Sequence, residues 1–183
     1  MPYNPDIHRR ASIRMRDFDY ASTGAYFVTI SAHNKECLFG AVDGEAMAVN
    51  ELGAIVREEW LKTPNIRPNV SIDEFVVMPN HFHAIVFITE NRRGVLQYAP
   101  TTTGTNTIHS PSQTIGAIVR GFKGATTKCI NILRDTPGVP VWQRNYYERV
   151  VRNDRELDSI RRYICNNPLK WADDEENPAV GAS

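Results

Sequence analysis

Two histidines one residue apart offer the clearest chemistry in the chain, within Val77-Met78-Pro79-Asn80-His81-Phe82-His83-Ala84-Ile85-Val86-Phe87-Ile88. Alternate residues of a strand share a face, so the imidazoles of His81 and His83 can converge on one point while Phe82 turns into the core. Imidazole suits Zn, Mn, Fe, Ni and Cu, and can serve Mg when oxygens complete the shell. The plainer reading is a pair of polar residues at a strand edge. The strongly apolar flanks, and the location of the other three histidines elsewhere, favour the metal pair.

A second group of reactive types lies near the C-terminal end. Residues 154–167 read as a helix: Asn153 with Glu156 makes a capping arrangement and Pro168 stops it. Leu157, Ile160 and Ile164 form its apolar stripe. Tyr163 and Asn167 are four residues apart, one turn along the same face, so a phenol and an amide oxygen can face one point. A core-edge tyrosine and a helix-ending asparagine would look the same. Tyr146 and Tyr147, beside Arg144, are competing candidates for a nucleophile.

These groups need elements to hold them. Residues 25–32 are aromatic and β-branched and read as a strand. Residues 37–50 hold short strand pieces around the turn signal Asp43-Gly44. Leu52, Ile55, Val56 and Trp60 share a helical face that ends before Pro64. Residues 70–78 and 83–89 are the next strands, with Pro79-Asn80 as a turn or bulge that puts His81 at the start of the second. Ser112 is the expected cap of a helix to about residue 133, with Ile115, Ile118, Val119, Phe122, Cys129, Ile130 and Leu133 inward. Its Gly116, Gly121 and Gly124 weaken it and permit close approach of packing groups or a phosphate. Gly116…Gly121 looks like the start of a P-loop, but Phe122-Lys123 follows instead of Lys-Ser/Thr, so we reject nucleotide hydrolysis. Residues 141–151 mix aromatics with arginines and are expected to be partly extended.

The chain has 183 residues, 42% hydrophobic and 23% charged, which fits one domain with a real core. We expect that domain over 21–172. A basic arm with Arg9, Arg10, Arg14 and Arg16 (1–20) precedes it, a polar mobile loop interrupts it (96–112), and a flexible acidic tail follows (173–183). Cys37, Cys129 and Cys165 are widely spaced and odd in number, so neither a zinc knuckle nor a disulfide framework is indicated. No apolar run approaches a membrane span and no signal-peptide core is evident, so the expected location is cytoplasmic. Net charge is zero, yet residues 114–170 hold eleven bases against five acids. That asymmetry is compatible with a basic face for phosphates.

Taken in order, Gly24-Ala25-Tyr26-Phe27-Val28-Thr29, Val77-Met78-Pro79-Asn80-His81-Phe82-His83, Val119-Arg120-Gly121-Phe122-Lys123, Val141-Trp142-Gln143-Arg144-Asn145-Tyr146-Tyr147 and Tyr163-Ile164-Cys165-Asn166-Asn167-Pro168 resemble the HUH single-tyrosine transposases, in their REP-associated branch. The resemblance runs over about residues 10–172. It implies an α+β, ferredoxin-like (RRM-like) HUH core: a mostly antiparallel central sheet with packed helices. It further implies His81, His83 and Asn167 as ligands of a divalent metal, Mg²⁺ or Mn²⁺, and Tyr163 as the nucleophile. The implied reaction cleaves and rejoins single-stranded DNA at hairpins through a 5′-phosphotyrosine. DNA contacts are expected from Arg14, Arg120, Lys123, Trp142, Arg144 and Arg149. The implied partner is hairpin-bearing single-stranded DNA, which makes the expected cytoplasmic location nucleoid-associated, and the protein is expected to be a monomer or homodimer. Two other readings stand beside it: a catalytically silent hairpin-binding regulator of the same fold, and an unrelated metal-dependent hydrolase.

Overall fold

A computed structural model describes residues 23–89, 114–174 and 176–180. The expected arm with Arg14, the 96–112 loop and the last residues of the tail lie outside these. In chain order the elements are β1 (Gly24–Ser31), β2 (Gly40–Asp43), β3 (Ala46–Val49), α1 (Glu51–Leu61), a short α2 (Thr63–Ile66), β4 (Val70–Val77), β5 (His81–Ile88), α3 (Ile115–Arg134), β6 (Tyr147–Val151), α4 (Asp154–Cys165) and a 3₁₀ turn (Pro168–Asp173). The main sheet runs β4-β5-β1-β6, and each neighbouring pair is antiparallel. With α1 and α3 as crossovers this is the ferredoxin-like β-α-β-β-α-β order. The expected α+β class is thus observed. The β2–β3 hairpin forms its own two-stranded sheet, turned at Gly44 with φ of 59°.

Period-two alternation divides the main sheet into two faces. Tyr26, Val28 and Ile30 of β1 and Phe82, Ala84, Val86 and Ile88 of β5 join Val56 and Trp60 of α1 and Ile118, Val119 and Phe122 of α3 in the larger core. Phe82 is fully buried, with its ring 5.1 Å from both Trp60 and Phe122. Burying a side chain of this size stabilises by about 1.5–3 kcal/mol. The opposite face is covered by α4, where Phe27, Ile85 and Ile164 form a smaller cluster with Leu157 and Ile160 packed against it. His81 and His83 therefore share their face with Ile85, beneath α4.

Local chemistry sets the helix ends. Asn50 caps α1 by accepting from the Gly53 amide. The cap of α3 is Thr114, not Ser112: its hydroxyl accepts from the Ala117 amide. Of the α3 glycines, Gly121 has the clearest use. A Cβ there would sit 3.2 Å from the Arg67 guanidinium, which crosses the helix to donate to the Ala117 carbonyl at 3.0 Å. Asn153 caps α4 through the Glu156 amide, and the Glu156 carboxylate accepts from the Arg152 amide. Arg161 of α4 donates twice to Asp73 of β4, at 2.6 and 3.1 Å, tying the helix to the sheet. Among the described residues no helix is long and apolar enough to cross a membrane.

Candidate active site

β5 begins at His81, so its α4-facing row opens with two imidazoles before Ile85 supplies the apolar anchor for Ile164. His81 is fully buried and His83 nearly so, with ring centroids 4.6 Å apart. Cross-strand pairing puts Thr29 of β1 directly opposite His83, and Thr29 Oγ1 lies 2.8 Å from His83 Nδ1. His81 Nδ1 lies 2.9 Å from Asn80 Oδ1. Both Nδ1 atoms thus have protein partners, which leaves both Nε2 atoms turned toward α4.

The helix answers with two residues one turn apart. Ile164 docking on Ile85 and Phe27 fixes the rotation of α4. Tyr163 then falls over His83, its hydroxyl 3.3 Å from Nε2. Just past the helix end, Asn167 is buried and its Oδ1 lies 3.3 Å from His81 Nε2. Phe27 stacks on the His83 ring at 5.5 Å and meets the Tyr163 ring edge-on at 6.0 Å. Tyr163 is 44% exposed, so its phenol faces both the histidines and solvent.

The resulting cleft has a volume of about 640 Å³ and is bordered by Phe27, Thr29, His83, Tyr147, Tyr163, Asn167, Lys170, Asp173, Asp174 and Glu176. Burial pushes His83 well below the ordinary imidazole value, and the neighbouring His81 adds to this. Burial also lowers His81, against the opposing influence of Asp174, Asn167 and Glu176. Burial thus favours the neutral form of both rings, the form in which a ring nitrogen can bind a metal. Burial raises the Tyr163 phenol, and the Asp174 charge raises it further, while a hydrogen bond with Asn167 pulls the other way.

Two imidazole nitrogens and an amide oxygen, oriented from behind by Asn80 and Thr29, are a donor set that fits a divalent cation. Among the described residues no group of three or more His, Cys, Asp or Glu side chains gathers as a metal cluster. The third donor is an amide.

The expected DNA-binding residues fare unevenly. Arg120 and Arg144 are exposed. Arg149 is exposed but ion-paired with Glu156. Trp142 is a correction: it is 5% exposed, its ring packs against Phe39 and Phe122, and its indole N–H donates to Thr126 at 2.8 Å. An isolated bridge to Ala32 draws it into the core. Lys123 is half-buried, and its ammonium donates to the carbonyls of Gln143 and Arg144. Partial burial lowers its pKa, and its two hydrogen bonds hold the 143–144 loop. Sequence reasoning missed Thr29, legible only once the β1–β5 register is known. It also missed Asn80, read merely as part of a turn, and the carboxylates of Asp174 and Glu176, read as tail. Tyr147 does border the cleft, on the side opposite Tyr163's helix.

No protein-family model matches the chain. A protein of Haemophilus influenzae (strain ATCC 51907 / DSM 11121 / KW20 / Rd), named only as an uncharacterized protein, is 42% identical over 174 residues, covering 94% of this chain and 96% of that one. A solved REP-associated tyrosine transposase, bound to a REP hairpin, aligns with a TM-score of 0.57 at 20% identity, over 87% of this chain and 73% of that one. A putative transposase from Deinococcus radiodurans R1 aligns with a TM-score of 0.42 at 14% identity, over 84% and 95%. The chain has the α+β fold of the REP-associated tyrosine transposase. By sequence it belongs to one family with the Haemophilus protein.

Proposed function

We propose that the protein is a metal-dependent strand transferase that cleaves and rejoins single-stranded DNA beside hairpins through Tyr163. One observation carries the reading. The Tyr163 hydroxyl lies 3.3 Å from His83 Nε2 and Asn167 Oδ1 lies 3.3 Å from His81 Nε2, contacts between residues 80 and 86 positions apart in the chain, beside a cleft open to solvent that His83, Tyr163 and Asn167 border. The REP hairpin bound by the transposase of the same fold supports the choice of DNA partner.

His81, His83 and Asn167 would hold Mg²⁺ or Mn²⁺, which when bound supplies Lewis-acid polarisation of a phosphate oxygen. The Tyr163 oxygen attacks the phosphorus. Its bond forms as the bond to the 3′ oxygen breaks, leaving a 3′-hydroxyl and a 5′-phosphotyrosine. The phenol's proton passes to the carboxylates and water of the cleft, and a proton ends on the departing 3′ oxygen. Phe27 holds the Tyr163 ring edge-on and limits its swing. Reversal by a second 3′-hydroxyl rejoins the strands. One diester replaces another, so no nucleotide is hydrolysed.

The test is a covalent-adduct assay with labelled hairpin oligonucleotides and Mg²⁺ or Mn²⁺. The reading expects an adduct in the parent protein and in Tyr147→Phe, and none in Tyr163→Phe. Hairpin binding with no adduct in any of the three identifies a silent regulator instead.

A further inference from the structure

Asn80 lies between β4 and β5, immediately before His81, and its side chain is fully buried. Its amide nitrogen donates to the Lys35 carbonyl at 3.1 Å and to the Glu176 carbonyl at 2.6 Å. Backbone carbonyls only accept, so both amide hydrogens are committed and the amide cannot be turned around. Oδ1 must then be the atom facing His81 Nδ1 at 2.9 Å. A carboxamide oxygen has no proton to give. Of the two acceptors that His81 faces, Asn80 Oδ1 is the nearer, at 2.9 Å against 3.3 Å for Asn167 Oδ1, so in the neutral ring the proton belongs on Nδ1 and the lone pair on Nε2. That nitrogen faces Asn167 Oδ1, a second acceptor, at 3.3 Å.

We propose that Asn80 is a positioning residue that holds His81 in the Nδ1–H tautomer, with the Nε2 lone pair directed toward Asn167. The clasp formed by the Lys35 and Glu176 carbonyls holds Asn80 in turn. Lys35 and Glu176 are also joined by a side-chain ion pair at 3.4 Å. Exposed pairs of this kind contribute little, so the amide's two bonds are the stronger half of the clasp. The segment around Glu176 thereby belongs to the site through Asn80, although it lies beyond the last expected ligand. The proposal rests on the reading of His81 Nε2 as a metal ligand.

The test uses the full ¹⁵N-labelled chain without metal, at a pH where both rings are neutral. Long-range ¹H–¹⁵N imidazole spectra distinguish the tautomers. The wild type is expected to give His81 as Nδ1–H. Asn80→Ala is expected to give a mixture or Nε2–H at His81, an unchanged His83, and Mn²⁺ affinity about 10- to 100-fold lower. An Nε2–H tautomer in the wild type overturns the proposal. So does an unchanged His81 spectrum in a folded Asn80→Ala. Should that variant not fold, the wild-type spectrum and a chain truncated after Asp174, expected to loosen the His81 tautomer, decide the question. An Nδ1–H His81 in a wild type that forms no DNA adduct leaves the positioning role standing and removes the strand-transfer reading.

Discussion

Thr29 and His83 face each other across β1 and β5, with Oγ1 and Nδ1 2.8 Å apart. The pairing makes strand register part of the site's chemistry, because a one-residue slip would turn Thr29 to the other face. Thr29→Val keeps the β-branched shape but removes the oxygen. We expect Mn²⁺ affinity to fall about 10- to 100-fold, while the unfolding midpoint drops only by the cost of one orphaned buried group, about 1–3 kcal/mol. Metal titration beside urea unfolding checks both halves.

Phe82, between the two histidines, belongs wholly to the other face. Phe82→Ala is expected to cost about 3–5 kcal/mol in urea unfolding. Because the cavity opens toward Trp60 and Phe122, Mn²⁺ affinity of the still-folded fraction is expected to change far less than in Thr29→Val.

The α4–β4 link has a defined pH dependence. The hydrogen bond from Arg161 is the chief reason the Asp73 carboxyl is held below its ordinary value of 3.8, with the Glu74 amide also lowering it and burial opposing both. A depressed folded pKa stabilises fully above the unfolded value, and the contribution is lost as pH falls through the lower folded value. Asp73→Asn should flatten this part of the acid limb in a stability-versus-pH series and leave neutral-pH stability lower than wild type.

Lys123 and Arg144 were equal candidates for phosphate contacts by type, and the structure separates them. Lys123→Met should lower stability, since it strips a donor from two carbonyls, and leave the salt slope of hairpin binding unchanged. Arg144 is exposed. Arg144→Ala should leave unfolding unchanged and reduce the slope of log affinity against log salt by about 0.7–1.

The sheet and three long helices were legible because their signals are local. Alternation in β5 put His81 and His83 on one face, Asn153 marked the start of α4, and Ile160 and Ile164 marked its buried side. What failed depended on contacts between distant segments. Trp142 among arginines looks like a stacking platform until residues 141–143 are seen running along the end of β1, where the Gln143 amide donates to Ser31 at 2.9 Å. Lys123 has the right spacing for an exposed helix position, but the 143–144 loop folds onto it. Asp174 and Glu176 read as tail because Pro168 ends the helix. The 3₁₀ turn after it brings the chain back over His81, with Trp171 6.0 Å from that ring.

The central claim is that Tyr163, not Tyr147 across the same cleft, forms the bond to DNA. Peptide mapping of the covalent adduct tests it most directly, because trypsin separates the two candidates. One peptide spans residues 163–170, between Arg162 and Lys170, and the other spans 145–149, between Arg144 and Arg149. The account expects the nucleotide mass on residues 163–170. Its appearance on residues 145–149 would contradict the assignment.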